Sequence, residues 1–119
     1  MDEAAHELGL VQKALTSGLS NCVEWVNDRA AMRVRNDPAN QGLTPEGIKQ
    51  LLIDYAAGGG KIEQRVEERE GWRDQQRYWY KAVIPADGFP RGLFVEIILL
   101  DDDPDVPVVA LVNAHPQSR

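Results

Sequence analysis

The first third of the chain carries apolar or small residues at steps of three and four, the spacing that places them along one face of a helix. These positions are Leu8, Val11, Leu15, Leu19, Cys22 and Val26. Serine and glycine at residues 17–20 could interrupt a helix, but the apolar positions keep the same helical spacing on both sides of them. The pattern therefore allows two helices or one long helix with a weak point. Pro38 must end it, because proline disfavours helical geometry in the preceding residue. We predict a helical segment over residues 1–36 and a linker over 37–43.

A second helix has clear start and stop signals. Thr44 suits the N-cap, Pro45 the first helical position, and Glu46 the first turn, where the helix dipole favours a carboxylate. The triple glycine at residues 58–60 ends this helix, since glycine adopts left-handed conformations at little steric cost. The predicted buried face consists of Ile48, Leu51, Leu52 and Tyr55.

Beyond residue 60 the pattern approaches a period of two, which is typical of strands. Segments rich in β-branched and aromatic residues predict strands at Tyr78 to Ile84, Leu93 to Leu100 and Val106 to Ala114. The short connections between them predict antiparallel hairpins. Lys61 to Glu70 is ambiguous, since its composition favours helix, but we interpret it as an edge strand whose charges prevent pairing with other chains.

Together these elements predict an α+β fold. We expect N-terminal helices packed on a three- to four-stranded antiparallel sheet, in a single domain over residues 1–119. Residues 44–119 would form the second helix and the sheet. A chain of 119 residues is long enough to bury one hydrophobic core.

The net charge of −6 counts against a broad phosphate-binding surface, because nonspecific nucleic-acid affinity depends on clustered Lys and Arg. It remains compatible with a nuclease that concentrates a few cations in one cleft, or with a protein that presents carboxylates to a basic partner. The single cysteine, Cys22, is predicted to be a buried hydrophobe. No apolar stretch approaches the about 20 residues of a membrane span, and no leader opens the chain, so we expect a cytoplasmic protein without a membrane partner.

The acidic segment at residues 101–105 raises the question of a metal site. A calcium loop would need glycine where Val106 stands and a bidentate Glu where Val112 stands, so we interpret the segment as a solvated hairpin tip. His6 lies beside acidic residues on a predicted helix, without the spacing of a metal site, and is predicted to lie at the surface. The sequence therefore predicts no metal and no cofactor.

His115 is a better candidate for chemistry. It ends the last predicted strand, where a side chain can project beside the solvent face or edge of the sheet, and histidine suits proton transfer near neutrality. The segment Arg73 to Lys81 mixes cations with aromatic rings, as readers of single-stranded nucleic acid do. The same pattern fits a strand entering a core, with Trp79 and Lys81 on one face and Tyr80 on the other.

The order of elements from Thr44 to Gln117, with a last strand that ends Val-Asn-Ala-His-Pro-Gln, resembles the barnase, EndoU, colicin and RelE superfamily of small ribonuclease toxins. Many of those domains finish on a strand similar to Val-Thr-Ala-Tyr-Pro. In this chain Asn113 stands where a threonine is expected, and His115 stands where an aromatic residue is usual.

The resemblance implies metal-independent RNA cleavage, in which the ribose 2′-hydroxyl attacks the adjacent phosphate. For that reaction His115 is the candidate for proton transfer, and Lys81 or Arg65 could stabilise the negative phosphate. Asn113 could donate a hydrogen bond to the phosphate, and Tyr80 could stack or donate. Alternation along a strand predicts that Asn113 and His115 share one face.

Two functions from different classes stay open. The first is a ribonuclease toxin, or a divergent inactive member of that superfamily, with RNA as its partner. The second is a non-enzymatic protein of antitoxin, immunity or inhibitor type, whose acidic surface covers a basic protein partner. A homo-oligomer formed through the N-terminal helix is compatible with either function.

Overall fold

The computed structural model describes residues 2–117, and of Ser20 it describes the backbone alone. The described residues form the helices α1 (Glu3–Thr16), α2 (Asp28–Asn36) and α3 (Pro45–Ala57). They form the strands β1 (Val23–Trp25), β2 (Glu63–Val66), β3 (Tyr78–Ala86), β4 (Phe89–Asp101) and β5 (Val108–Pro116). The α+β prediction is therefore confirmed. Among these residues no helix has the length and apolar character needed to cross a membrane.

The strands form one sheet in the order β1-β5-β4-β3-β2. The pairs β5-β4 and β4-β3 are antiparallel, as the short connections between them predict, and β3-β2 is antiparallel as well. Strand β1 runs parallel to β5 at the edge of the sheet. The sheet thus has one strand more than the three to four predicted, and that strand is the parallel one.

The additional strand lies inside the segment predicted to be helical. Helix α1 ends at Thr16, and Gly18 follows with a φ of 77°, a left-handed conformation that favours glycine. The chain then joins β5, where the backbone nitrogen of Val26 donates to the oxygen of Leu111 at 2.9 Å. Pairing with β5 satisfies backbone groups that a continuous helix would have satisfied internally. The segment is therefore two helices separated by a short strand, and the single long helix is ruled out.

Helices α2 and α3 follow local signals at their ends. The side-chain oxygen of Asn27 caps α2 by accepting from the backbone nitrogen of Ala30 at 2.8 Å, and α2 ends before Pro38, as predicted. The hydroxyl oxygen of Thr44 caps α3 by accepting from the nitrogen of Gly47 at 3.0 Å. Helix α3 therefore begins where the sequence predicts.

The three helices pack on one side of the sheet, which we call the helix face. A large cluster of buried side chains joins them to it; its members include Val11, Leu15, Val34, Ile48, Leu52, Tyr80, Ala82, Val95, Ile97, Val109, Leu111 and Ala114. The opposite side, which we call the open face, carries a smaller cluster of Ile98, Ala110 and Val112. Among the described residues no helix contributes to that smaller cluster, against which Val26, Trp72 and Trp79 pack. The open face is therefore where a substrate or partner can reach the sheet.

A β-bulge in β5 changes the alternation of its side chains. Leu111 stands opposite Ile97 of β4, but the next pair is Asn113 with Glu96. Val112 is therefore an extra residue with no partner of its own on β4, which is the defining feature of a bulge.

The bulge decides which residues at the end of β5 reach the open face. Leu111 lies in the large cluster on the helix face, and after the bulge Ala114 lies there too. Asn113 and His115 therefore take the open face. Strict alternation from Leu111 would have placed both side chains under the helices.

Strand β2 covers only four residues of the predicted edge strand Lys61–Glu70. The chain then leaves the sheet as a loop over residues 67–77, which we call the 67–77 loop. The backbone nitrogen of Glu67 donates to the oxygen of Arg77 at 2.8 Å, so the two ends of the loop are held together.

Two smaller predictions are confirmed. The segment at residues 101–105 is the exposed tip of the β4–β5 hairpin. There the carboxylate of Asp101 accepts from the backbone nitrogen of Asp103 at 3.0 Å, and the carboxylate of Asp103 accepts from the backbone nitrogen of Asp105 at 2.9 Å. Cys22 is buried.

The cap of α3 can be tested by mutation. Thr44→Ala removes the oxygen that accepts from Gly47, and we expect the free energy of unfolding to fall by about 1 kcal/mol. Thr44→Ser retains that oxygen and should unfold at nearly the wild-type denaturant concentration. Urea denaturation of the three proteins gives the comparison. Equal midpoints for Thr44→Ala and wild type would show that water replaces the cap.

Candidate functional site

Four of the five candidate residues lie on the open face. Arg65 belongs to β2, Lys81 to β3, and Asn113 and His115 to β5. Lys81 stands opposite Glu96 of β4, which in turn stands opposite Asn113, so these three form one row across the sheet. The structure therefore brings the four candidates to one surface that no helix covers.

Two contacts hold the ring of His115. It stacks on Phe94 of β4, with the ring centroids 4.6 Å apart and the planes inclined by 17°. Its Nδ1 lies 3.0 Å from the carbonyl oxygen of Pro116. Because a carbonyl oxygen only accepts, Nδ1 carries the hydrogen and donates it. The neutral ring then has its lone pair on Nε2, which can take a proton from a substrate.

Lys81 approaches the same phenyl ring from β3, on the other side of β4. Its Nζ lies 5.9 Å from the centroid of Phe94. Within residues 2–117 no carboxylate lies close enough to Lys81 to form an ion pair. Arg65 differs, since it is more exposed and pairs with Glu63 at 3.1 Å. Lys81 stands opposite Glu63 and Glu96 but forms an ion pair with neither within residues 2–117, so its charge is available to a phosphate on this surface.

The side chain of Asn113 is half-buried beside this row. Its oxygen accepts a hydrogen bond from the backbone nitrogen of Ala114 at 3.0 Å. In the part of the chain that the structure describes, its amide nitrogen donates no hydrogen bond. Asn113 therefore keeps a donor for a ligand.

Tyr80 is the candidate that the structure separates from the other four. It is fully buried on the helix face, because its neighbours Trp79 and Lys81 take the open face. Its hydroxyl donates to the carboxylate of Glu7 on α1 and accepts from Nε2 of Gln64 at 3.0 Å. Burial and the hydrogen bond with Glu7 raise the pKa of Tyr80 well above its ordinary value. Tyr80 thus attaches α1 to the sheet, and a substrate on the open face is out of its reach.

A network of charged residues closes one side of the open face. The buried carboxylate of Glu67 accepts from Nε and Nη2 of Arg69 at 2.8 Å each, and from Nε2 of Gln76 at 2.8 Å. Arg69 also donates to Oε2 of Glu96 at 2.7 Å. These bonds attach the 67–77 loop to β4.

The network determines the ionisation of its members. Hydrogen bonds from Arg69 lower the pKa of Glu67 to about 2, although burial opposes the shift. The hydrogen bond with Glu67 raises the pKa of Arg69 above its ordinary value. Both side chains therefore stay charged near neutrality, and neither suits proton transfer there.

A cavity of about 680 Å³ opens on this surface. Its lining includes three cations, Arg65, Arg69 and Lys81, three carboxylates, Glu67, Glu68 and Glu96, and two aromatic rings, Trp79 and Phe94. Of the candidate residues, Arg65 and Lys81 line this cavity, whereas His115 and Asn113 do not. A larger concavity of about 850 Å³ lies beside the β3–β4 hairpin, but none of the five candidate residues lines it. The chemistry of the smaller cavity makes it the better candidate site.

Three residues of this surface were not identified from the sequence. Phe94 and Glu96 alternate with buried Val95 along β4, so the period of the strand could have placed them beside Lys81. Arg69 had no such signal, because its position depends on how the 67–77 loop folds back onto the sheet.

Within the described residues, no three His, Cys, Asp or Glu side chains are grouped in a way that could hold a metal ion. Comparisons with models of known protein families, with curated proteins and with solved structures find no significant match. The resemblance to the ribonuclease toxin superfamily therefore stays a prediction. The function has to be argued from the geometry of the open face.

The charged network can be tested through Glu67. Glu67→Gln removes the charge that Arg69 binds, and we expect the free energy of unfolding to fall by about 2 kcal/mol at pH 7. Glu68→Gln is the matched control, because Glu68 is exposed and forms no ion pair within residues 2–117. Urea denaturation measures both changes.

The same variant predicts a dependence on pH. Because the pKa of Glu67 is lower in the folded chain than the ordinary value of 4.5, its stabilisation is complete above that value and is lost as the pH falls toward about 2. Between about pH 5 and pH 3 the wild type should therefore lose more stability than Glu67→Gln. Parallel losses in the two proteins would contradict this role.

Proposed function

We propose that the open face binds RNA and that the protein cleaves it as a metal-independent ribonuclease. The observation that carries this proposal is the fixed ring of His115, whose Nδ1 donates to Pro116 and leaves Nε2 to act as a base. The ring of His115 stacks on Phe94 of β4. Lys81 of β3 forms no ion pair in the described part of the chain, and its ammonium approaches the ring of Phe94 from the other side of β4. Proton acceptor and cation thus lie on one face of the sheet, on β5 and β3 with β4 between them.

In the proposed reaction Nε2 of His115 takes the proton of a ribose 2′-hydroxyl. The 2′-oxygen forms a bond to the adjacent phosphorus, and the bond from phosphorus to the 5′-oxygen breaks. The departing 5′-oxygen takes a proton from water, and the hydroxide that remains takes the proton from His115, which returns the ring to its neutral form. The products are a 2′,3′-cyclic phosphate and a 5′-hydroxyl.

The remaining groups act on the phosphate. Negative charge grows on its oxygens in the transition state, and the ammonium group of Lys81 stabilises that charge. The amide of Asn113 donates a hydrogen bond. Arg65, which is exposed and paired with Glu63, attracts a neighbouring phosphate of the same strand. An acidic protein can bind RNA in this way where a cation such as Lys81 forms no ion pair within residues 2–117.

A second candidate function is that of an acidic interaction protein. It is favoured by the tip of the β4–β5 hairpin, where four exposed aspartates lie between the exposed apolar side chains Leu100 and Val106. Such a surface suits a basic protein partner that also makes apolar contacts beside the charged ones.

The test of the ribonuclease compares variants in the presence of a metal chelator. His115→Ala should slow the cleavage of RNA by about 10²- to 10⁴-fold, because the base is lost. Lys81→Ala should slow it by about 10²- to 10³-fold, because a transition-state charge loses its partner. His6→Ala, which removes an exposed histidine on α1, should cleave like wild type. Rates of RNA cleavage and thermal melting curves are measured for each protein.

The outcomes separate the proposals. Absence of cleavage by wild type, with and without ribosomes, contradicts the ribonuclease and favours a basic protein partner whose binding weakens with salt. If His115→Ala cleaves RNA as fast as wild type, the proposed role of His115 is wrong but the ribonuclease proposal stands.

A further inference from the structure

The three tryptophans of the chain have different surroundings. Nε1 of Trp25 donates to the carbonyl oxygen of Pro45 at 3.0 Å. The ring of Trp72 is covered by the guanidinium of Arg69, 5.2 Å from its centroid. Trp79 has neither kind of contact within the described residues: its Nε1 donates no hydrogen bond, and no cation or parallel ring lies against its indole.

Trp79 is only partly covered by the packing of the sheet. It is half-buried at the border of the small cluster of Ile98, Ala110 and Val112. Among the described residues its Nε1 is not one of the buried polar atoms without a partner, so its N–H is open to solvent. The accessible N–H and the uncovered ring are features that a ligand could use.

The neighbours of Trp79 indicate which ligand fits. Arg65 stands directly opposite Trp79 on β2. Lys81 follows two residues later on the same face of β3, about 7 Å along the strand. Phe94 is tilted at 57° with its centroid 6.2 Å away, so it forms a wall and leaves the indole plane uncovered. Proteins that bind single-stranded nucleic acids stack the bases on aromatic rings and contact the phosphates with neighbouring cations. Trp79, Lys81 and Arg65 offer this combination of groups.

We propose that the cavity at Trp79 is a subsite for a nucleobase of single-stranded RNA, adjacent to the phosphate at Lys81. The base stacks on the indole, and Lys81 and Arg65 contact the phosphates that flank it. This inference rests on the proposed function and specifies its substrate class. Duplex RNA is excluded, because its bases are already stacked on both faces.

The test measures binding apart from cleavage. The probe is a fluorescein-labelled octanucleotide of mixed sequence with 2′-O-methyl riboses, which lacks the attacking hydroxyl. Fluorescence anisotropy with the full chain should show binding of the single strand and much weaker binding of the same strand annealed to its complement. Trp79→Leu should weaken binding by about 5- to 150-fold, the range for the loss of one stacked base. Trp72→Leu, whose ring is covered in the wild type, is the matched control and should bind like wild type.

A second measurement does not depend on the folding of Trp79→Leu. The unlabelled octanucleotide should quench the tryptophan emission of wild type. Trp79→Phe retains a ring and should keep most of the affinity but lose the quenching. Quenching that persists in Trp79→Phe, equal affinity of folded Trp79→Leu and wild type, or equal affinity for single strand and duplex would each overturn the subsite.

The subsite and the ribonuclease can fail separately. If wild type binds the octanucleotide through Trp79 but cleaves no RNA, the subsite stands and the ribonuclease is wrong. If wild type cleaves RNA and Trp79→Leu cleaves it with an unchanged KM, the ribonuclease stands and the subsite is wrong.

Discussion

The bulge at Val112 is the constraint on which the open face depends. Strand β5 pairs with β1 on one side and β4 on the other, so its register is fixed from two directions. Before the bulge it supplies Leu111 to the helix face, and after the bulge it supplies Ala114 to the same face. One extra residue thus lets the strand finish its core packing and still turn His115 outward. The stacking of the His115 ring on Phe94 and its hydrogen bond to the carbonyl oxygen of Pro116 then fix the orientation of that ring on the open face.

The charges of the open face explain how an acidic chain can carry a cationic site. Arg69 is bound by two carboxylates, Glu67 and Glu96, and its charge is used to hold the 67–77 loop on the sheet. Lys81 stands opposite Glu63 on one side and Glu96 on the other, but forms an ion pair with neither in the described part of the chain. Glu63 pairs with Arg65 and Glu96 with Arg69, which leaves the ammonium of Lys81 available to an anion. Net charge describes the whole surface, whereas binding depends on which cations remain unpaired in one place.

Local signals in the sequence were sufficient for α3 and for the central strands. The cap at Thr44 and the glycines after α3 act within a few residues of one another, so a sequence reading can detect them. Strand β1 could not be found in this way, because Val23–Trp25 is a strand only through its pairing with β5, more than eighty residues later in the chain. Its apolar residues fit a helical stripe equally well, and Gly18 was the one local indication that the helix stops.

The candidate site shows the same division between local and distant information. Alternation along β3 correctly separates Tyr80 from Lys81, and applying it consistently would have removed Tyr80 from the candidate set, since a fully buried ring cannot meet a ligand on the other face. Alternation along β5 alone would have led to the wrong face for His115, because a bulge leaves no mark in the sequence that distinguishes Val112 from any other strand residue. Their spacing of two residues predicts that Asn113 and His115 lie on the same face of the sheet. That this face is the open face follows only from the pairing of Asn113 with Glu96 of β4. Spacing within one strand therefore relates residues to each other, and only pairing between strands relates them to solvent.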